Sequence, residues 1–145
     1  KETTMRIMAI DYGDAHTGIA VSDPTGLLAG FTTVINAYRP DRVAEQIALL
    51  AKEHGAERLV LGHPINMDGT RGPRSEKAQA MRQLLEETTG LPVVLWDERR
   101  TTIDAHQILM SSGKNAKKRK KVVDAVAASL ILEGYLTYLK THPEG

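Results

Sequence analysis

The sequence predicts an α/β fold: a five-stranded mixed sheet, an antiparallel three-strand meander plus parallel strands, flanked by helices. Three observations carry this expectation. The amino-terminal third holds three short apolar runs separated by turns rich in Gly, Asp and Pro. From Pro40 onward, apolar residues recur at the three- and four-residue spacing of helices. Between those helical stretches lie short apolar runs, so helices and strands alternate. A meander followed by such alternation implies a mixed sheet with helices over its faces.

The elements follow in order. Arg6 to Asp11 reads as a buried strand ending in an acid, with a turn at Gly13 and Asp14. Gly18 to Ser22 is a second strand, closed by Asp23, Pro24 and Gly26, and Leu27 to Ile35 a third. Val43, Ala44, Ile47, Ala48, Leu50 and Ala51 form one face of a helix that starts near Pro40 and stops at Gly55. Arg58 to Leu61 is a short strand, followed by a long loop from Gly62 to Arg74. Ser75 is expected to cap a second helix, with Ala78, Met81, Leu84 and Leu85 on one face and Gly90 at its end. Val93 to Trp96 is the last strand. Thr101 and Asp104 are spaced as a capping box for a helix reaching about Ser112. After a basic loop, a final helix runs from Val122 to about Leu139, with Val123, Val126, Ala127 and Leu130 as its buried stripe. This order fits the ribonuclease H-like fold better than a doubly wound one, which would open βαβ.

At 145 residues the chain suits one domain, placed at residues 5–140, with Lys1 to Thr4 as an extraneous or disordered leader. The apolar share is 41% and the charged share 26%, ordinary for a globular protein. The absence of cysteine excludes disulfides, thiolate catalysis and cysteine-ligated zinc. No apolar run has the length of a membrane span, and a cytoplasmic location is expected. Net charge is only +1, yet Lys117 to Lys121 form an unbroken basic run, with smaller clusters at Arg71/Arg74 and Arg99/Arg100. Concentrated cations on a near-neutral chain suit a polyanionic partner, or else a solvated charged face.

Three acids lie on separate elements: Asp11 ends the first strand, Glu98 follows the last, and Asp124 lies early in the final helix. If the fold gathers them, their mutual repulsion calls for cations. Mg²⁺ or Mn²⁺, as two ions, would be held by Asp11, Glu98 and Asp124 and would activate water against a phosphodiester. Asp97 competes with Glu98 for this role, because neighbouring residues at a strand end point to opposite faces. Asp11 taken alone also suits a turn, and Asp97 and Glu98 suit ion pairs with Arg99 and Arg100.

I-D-Y-G (10–13), G-I-A-V-S-D (18–23), G-H-P-I-N-M-D-G-T-R-G-P-R (62–74), W-D-E-R-R-T-T (96–102) and D-A-V-A-A-S-L-I-L (124–132) occur in this order. Together they resemble the YqgF/RuvX family of the ribonuclease H-like superfamily, distantly similar to RuvC-type Holliday-junction resolvases. The resemblance spans Met5 to Leu139. It implies a nuclease acting in maturation of the 5′ end of pre-16S ribosomal RNA, or a junction resolvase, with Asp11, Glu98 and Asp124 matching the family's catalytic acids. His63 and Arg100 depart from residues common at those positions.

The substrate-binding candidates are Gly13, Arg71, Arg74, Arg99, Lys117, Lys118 and Arg119. Gly13 permits close backbone approach, and arginines clamp phosphate oxygens through forked hydrogen bonds. The expected partner is structured or precursor ribosomal RNA, or branched DNA, bound by a monomer or weak homodimer without a membrane. One Trp, one Phe and four Tyr offer few stacking surfaces, favouring recognition of backbone shape over base sequence. The five histidines lack metal-ligand spacing; His63, in the motif loop, is the one to watch. Competing readings are a nucleotide-binding module, since the opening also resembles the actin/hexokinase-like superfamily, and a non-catalytic RNA-binding assembly factor.

Overall fold

The computed structural model describes residues 5–23, 29–64, 72–97 and 116–142, and of residues 29 and 116–125 the backbone alone. The elements are β1 (Ile7–Asp11), β2 (His16–Ser22), β3 (Ala29–Asn36), α1 (Pro40–His54), β4 (Arg58–His63), α2 (Pro73–Thr89), β5 (Val93–Asp97) and α3 (Ala116–Thr141). The five strands form one sheet in the order β3-β2-β1-β4-β5. β1, β2 and β3 pair antiparallel, whereas β1–β4 and β4–β5 pair parallel. The expected mixed sheet and its meander are therefore present. β1, β4 and β5 all end at the same edge.

Strand alternation divides the core into two layers. Met8 and Ile10 of β1, with Ile19, Leu59 and Leu61, pack beneath α1 and α2. Ile7 and Ala9, with Ala20, Val60 and Trp96, pack beneath α3, which presents Ala128, Ile131, Leu132 and Tyr135. Ala9 and Ala20 are paired neighbours with small side chains, so they leave a shallow trough in which α3 lies close to the sheet. Gly134 serves the same closeness, because a Cβ there would stand 3.1 Å from the Trp96 ring. The Tyr135 ring meets Trp96 edge-on at 5.8 Å, and its hydroxyl accepts a 2.6 Å hydrogen bond from Arg58 at the start of β4.

Helix ends follow local chemistry. Pro40 opens α1, and Gly55 closes it in the left-handed region at φ 68°, where its N–H reaches the carbonyl of Lys52. Gly90 closes α2 similarly at φ 72°.

Several expectations need correction. Ser75 does not cap α2: Pro73 starts the helix earlier, after an extended Gly72, and the Ser75 hydroxyl instead meets Nε2 of His63 at 2.6 Å. Residues 116–121 are helical rather than a basic loop. No Gly or Pro lies between Ala116 and Val122, and Lys and Arg are good helix formers. The buried stripe of α3 runs through Ala128, Ile131, Leu132, Tyr135 and Leu136, while Val126, Ala127 and Leu130 are half-buried. The middle of this helix is apolar nearly all round, so its sequence does not fix the phase. β4 and β5 extend to His63 and Asp97, and β3 runs on to Asn36, while residues 27 and 28 of its expected start lie outside the described residues. The helix expected over 101–112 lies outside the described residues.

Truncating Leu132, fully buried between α3 and the sheet, to Ala should lower unfolding stability by about 2–5 kcal/mol in urea denaturation. Leu49→Ala, at a side chain 68% exposed, should change it by less than about 0.5 kcal/mol.

Candidate active site

Asp11 is the last residue of β1, and the phase of that strand sets its direction. Ile7 and Ala9 face α3, so Asp11, next in the alternation, continues the α3 face. Its partner on β2 is Gly18. On the other side, Ile10 pairs with Leu61, which puts Asp11 level with Gly62, and Gly62 pairs with Trp96. One row across the α3 face thus reads Gly18, Asp11, Gly62, Trp96. Both residues flanking the half-buried carboxylate lack side chains and are themselves buried. Bare backbone beside an acid leaves room for an ion or a phosphate oxygen to approach.

The same alternation separates Asp97 from Asp11. Val93 and Leu95 pack toward α1 and α2, whereas Val94 and Trp96 pack toward α3. Asp97 continues the first set and pairs with His63, which likewise continues Leu59 and Leu61. His63 is buried there, held by Ser75, whose Oγ also accepts a 3.3 Å hydrogen bond from Gln79. His63 is therefore a buried, hydrogen-bonded group on the far face from Asp11.

Beyond Asp11 the chain turns at Gly13, where an added Cβ would collide with the backbone carbonyl of His16. Gly13 lines a cavity of about 290 Å³ with Asp14, His16, Pro64, Arg74 and Lys77. Lys77 donates a 2.9 Å hydrogen bond to the Asp14 carboxylate. That bond and the ammonium charge hold Asp14 below the usual carboxylate range, and the same partner raises Lys77. Burial, then the Asp14 charge, pushes the Tyr12 phenol upward.

Of the acids read from the sequence, Asp11 is placed as described. Asp124 lies on α3 with its backbone alone described, and Glu98 lies outside the described residues. Gly13 and Arg74 share the cavity. Arg71 and Arg99 lie outside the described residues, and Lys117, Lys118 and Arg119 occupy the first turns of α3. Among the described residues, no three His, Asp or Glu side chains are grouped to hold a metal.

A family described as RuvX, Holliday junction resolvase, matches residues 5–138. The chain belongs to the RuvX family. A relative from Halothermothrix orenii named "putative pre-16S rRNA nuclease" is 43% identical over 134 residues, covering 92% of this chain and 96% of that protein. One of the same name from Bacillus subtilis is 44% identical over 137 residues, covering 93% and 99%. Among solved structures, RuvC of Thermus thermophilus in complex with a Holliday junction substrate superposes with a TM-score of 0.62. It covers 92% of this chain and 96% of that one at 16% identity, a likeness of fold alone.

Sequence reasoning missed two features of this RuvX chain. Gly18 and Gly62 stand out only once the register places them beside Asp11. Lys77 and Asp14 are 63 positions apart, and no local pattern announces their bridge.

Because the folded pKa of Asp14 is lowered, the bridge contributes above the ordinary carboxylate pKa and is lost as pH falls through the lowered value. Lys77 is raised, so its share is present below the ordinary amine pKa and lost as pH climbs through the raised one. Carboxyl ¹³C titration should show a depressed Asp14 pKa that rises most of the way toward normal in Lys77→Met, with the Arg74 charge still lowering it. An unchanged value in that variant would refute the coupling.

Proposed function

We propose that this RuvX chain is a metal-dependent nuclease that hydrolyses nucleic-acid phosphodiesters, with precursor small-subunit ribosomal RNA as its substrate. The observation that carries the proposal is the row Gly18–Asp11–Gly62: a carboxylate at the carboxy edge of the sheet, with bare backbone on both sides. The full-length relatives of the same name support the substrate.

The remaining acids follow from phase. Trp96 faces α3 and Asp97 faces away, so Asp97 does not share the face of Asp11, which favours Glu98 over Asp97 as the ligand. β1 and β5 are two strand spacings apart, about 10 Å, with only Gly62 between them on that row. On α3, position 124 is one turn before Ala128, in phase with the stripe that faces the sheet. Tyr135 meets Arg58 at the start of β4, and the helix from there back to Asp124 is about 16 Å long. That length is enough to reach the edge where β1, β4 and β5 end.

Oxygen donors from Asp11, Glu98 and Asp124 fit Mg²⁺ or Mn²⁺, two ions by the charge of the set. When bound, such cations supply an activated water and neutralise charge on the phosphodiester. The chain itself does the positioning. Gly13 lets backbone approach the substrate, Arg71, Arg74 and Arg99 hold phosphate oxygens, and Lys117, Lys118 and Arg119 grip the backbone. α3 opens with these cations at the end where its dipole is already positive, and no acid relieves them in its first turn. A polyanion would.

The family's description favours branched DNA as a second substrate. No described helix is long and apolar enough to cross a membrane, and a cytoplasmic location goes with the RNA substrate.

A cleavage assay on precursor ribosomal RNA and junction DNA tests the proposal. Asp11→Asn and Glu98→Gln should fold yet lose more than about a hundredfold in rate, since even outer partners of a metal ligand are worth about 10–100-fold. Asp97→Asn should retain most activity, and chelation should abolish cleavage in the parent chain. Full activity in Asp11→Asn would remove the proposed site. Separately, reversing the charges of Lys117, Lys118 and Arg119 should weaken RNA binding and flatten its salt dependence; unchanged affinity would contradict their role.

A further inference from the structure

The polar cavity beside Gly13 has a neighbour. Across the Lys77–Asp14 bridge lies a second cavity of about 300 Å³, lined by Tyr12, Tyr38, Pro40, Met81 and Leu84. Tyr12, Asp14 and Lys77 line both cavities, so the bridge is the wall between them. One side offers cations, Arg74 and Lys77; the other offers two phenol rings over an apolar floor. Tyr38 is 81% exposed, in the turn between β3 and α1.

We propose that this paired notch holds an unpaired nucleotide of a single strand, its phosphate on Arg74 and Lys77 and its base against Tyr38 in the apolar cleft. The identity of the strand as substrate rests on the nuclease proposal; the notch does not. A nucleotide couples an anion to a flat apolar face through one sugar, and the two cavities present the matching surfaces side by side. Base–aromatic stacking tolerates any base, because every base has a π face. The local charge suits a phosphate. Asp14 is neutralised by Lys77 and Asp41 by Arg39, while Arg74 makes no ion pair among the described residues. The notch lies on the α1/α2 side of the β1 end, and Asp11 on the α3 side. Gly13, lacking a Cβ, is the crossing point between them. A strand whose scissile phosphate lies at Asp11 would therefore place a neighbouring nucleotide in the notch.

The test is fluorescence anisotropy on the full chain carrying Asp11→Asn, in EDTA, so that neither metal nor cleavage enters. The probes are a labelled short single-stranded oligoribonucleotide and a blunt-ended two-strand RNA duplex of similar length. Tyr38→Ala should weaken single-strand binding about tenfold, and Tyr38→Phe should preserve it. Arg74→Gln and Lys77→Gln should each weaken binding and reduce the salt slope by about one. Duplex affinity should not respond to Tyr38→Ala. Single-strand affinity indifferent to Tyr38→Ala, an equal loss with the duplex, or no single-strand binding at all would overturn the notch. Tyr38-dependent binding in a parent chain that cleaves nothing would sink the nuclease proposal alone. Cleavage with Tyr38-indifferent binding would sink the notch alone.

Discussion

The phase of β1 decides what happens at the carboxy edge of the sheet. This strand is buried on both faces, with Met8 and Ile10 fully enclosed beneath α1 and α2 and Ile7 and Ala9 enclosed beneath α3. A slip of one residue would exchange the two layers, putting the large side chains of Met8 and Ile10 where α3 needs the trough at Ala9 and Ala20. Packing therefore locks the alternation, and the alternation aims Asp11. The same constraint, transmitted through register to β4 and β5, brings Gly62 level with Asp11 and turns Asp97 to the opposite face.

A consequence is a division of labour between the two faces of one edge. The α3 face carries the acid and bare backbone. The α1/α2 face carries Arg74, the Lys77–Asp14 bridge, the buried His63–Ser75 pair and the tyrosine cleft. The cations Arg74 and Lys77 thus lie on the face opposite the one Asp11 continues. Lys77 is instead tied to Asp14, one residue past the Gly13 turn.

Much of this was legible in the residues. Apolar runs and turn residues gave the meander, and helical spacing bounded by Pro40, Gly55 and Gly90 gave α1 and α2. Asp11 announced itself by ending a buried strand, and Gly13 by following it. What was not legible depended on tertiary register. Gly18 and Gly62 gain meaning only as cross-strand neighbours of Asp11. Ser75 looked like a cap because its type suits one, yet Pro73 had already begun the helix and freed the hydroxyl for His63. The stripe of α3 differs from the one its spacing predicts because V-A-A-S-L-I-L is apolar in nearly every direction, so only the sheet, through Ala9, Ala20 and Trp96, selects the phase. The extra turns at its start were hidden by a charge run that reads as loop, although Lys and Arg favour helix.

The nuclease proposal requires both cations to bind together beside Asp11, on the α3 face at the carboxy end of β1. Paramagnetic broadening of backbone amides by Mn²⁺, in the ¹⁵N-labelled full chain, tests it most directly. A site there gives loss of signal at Asp11, Gly18, Gly62 and the turn of α3 around Asp124, with Ser22 and Arg58 at the other end of the sheet broadened far less. Broadening centred on Asp14 and Asp41, or spread evenly over the exposed acids, would contradict it.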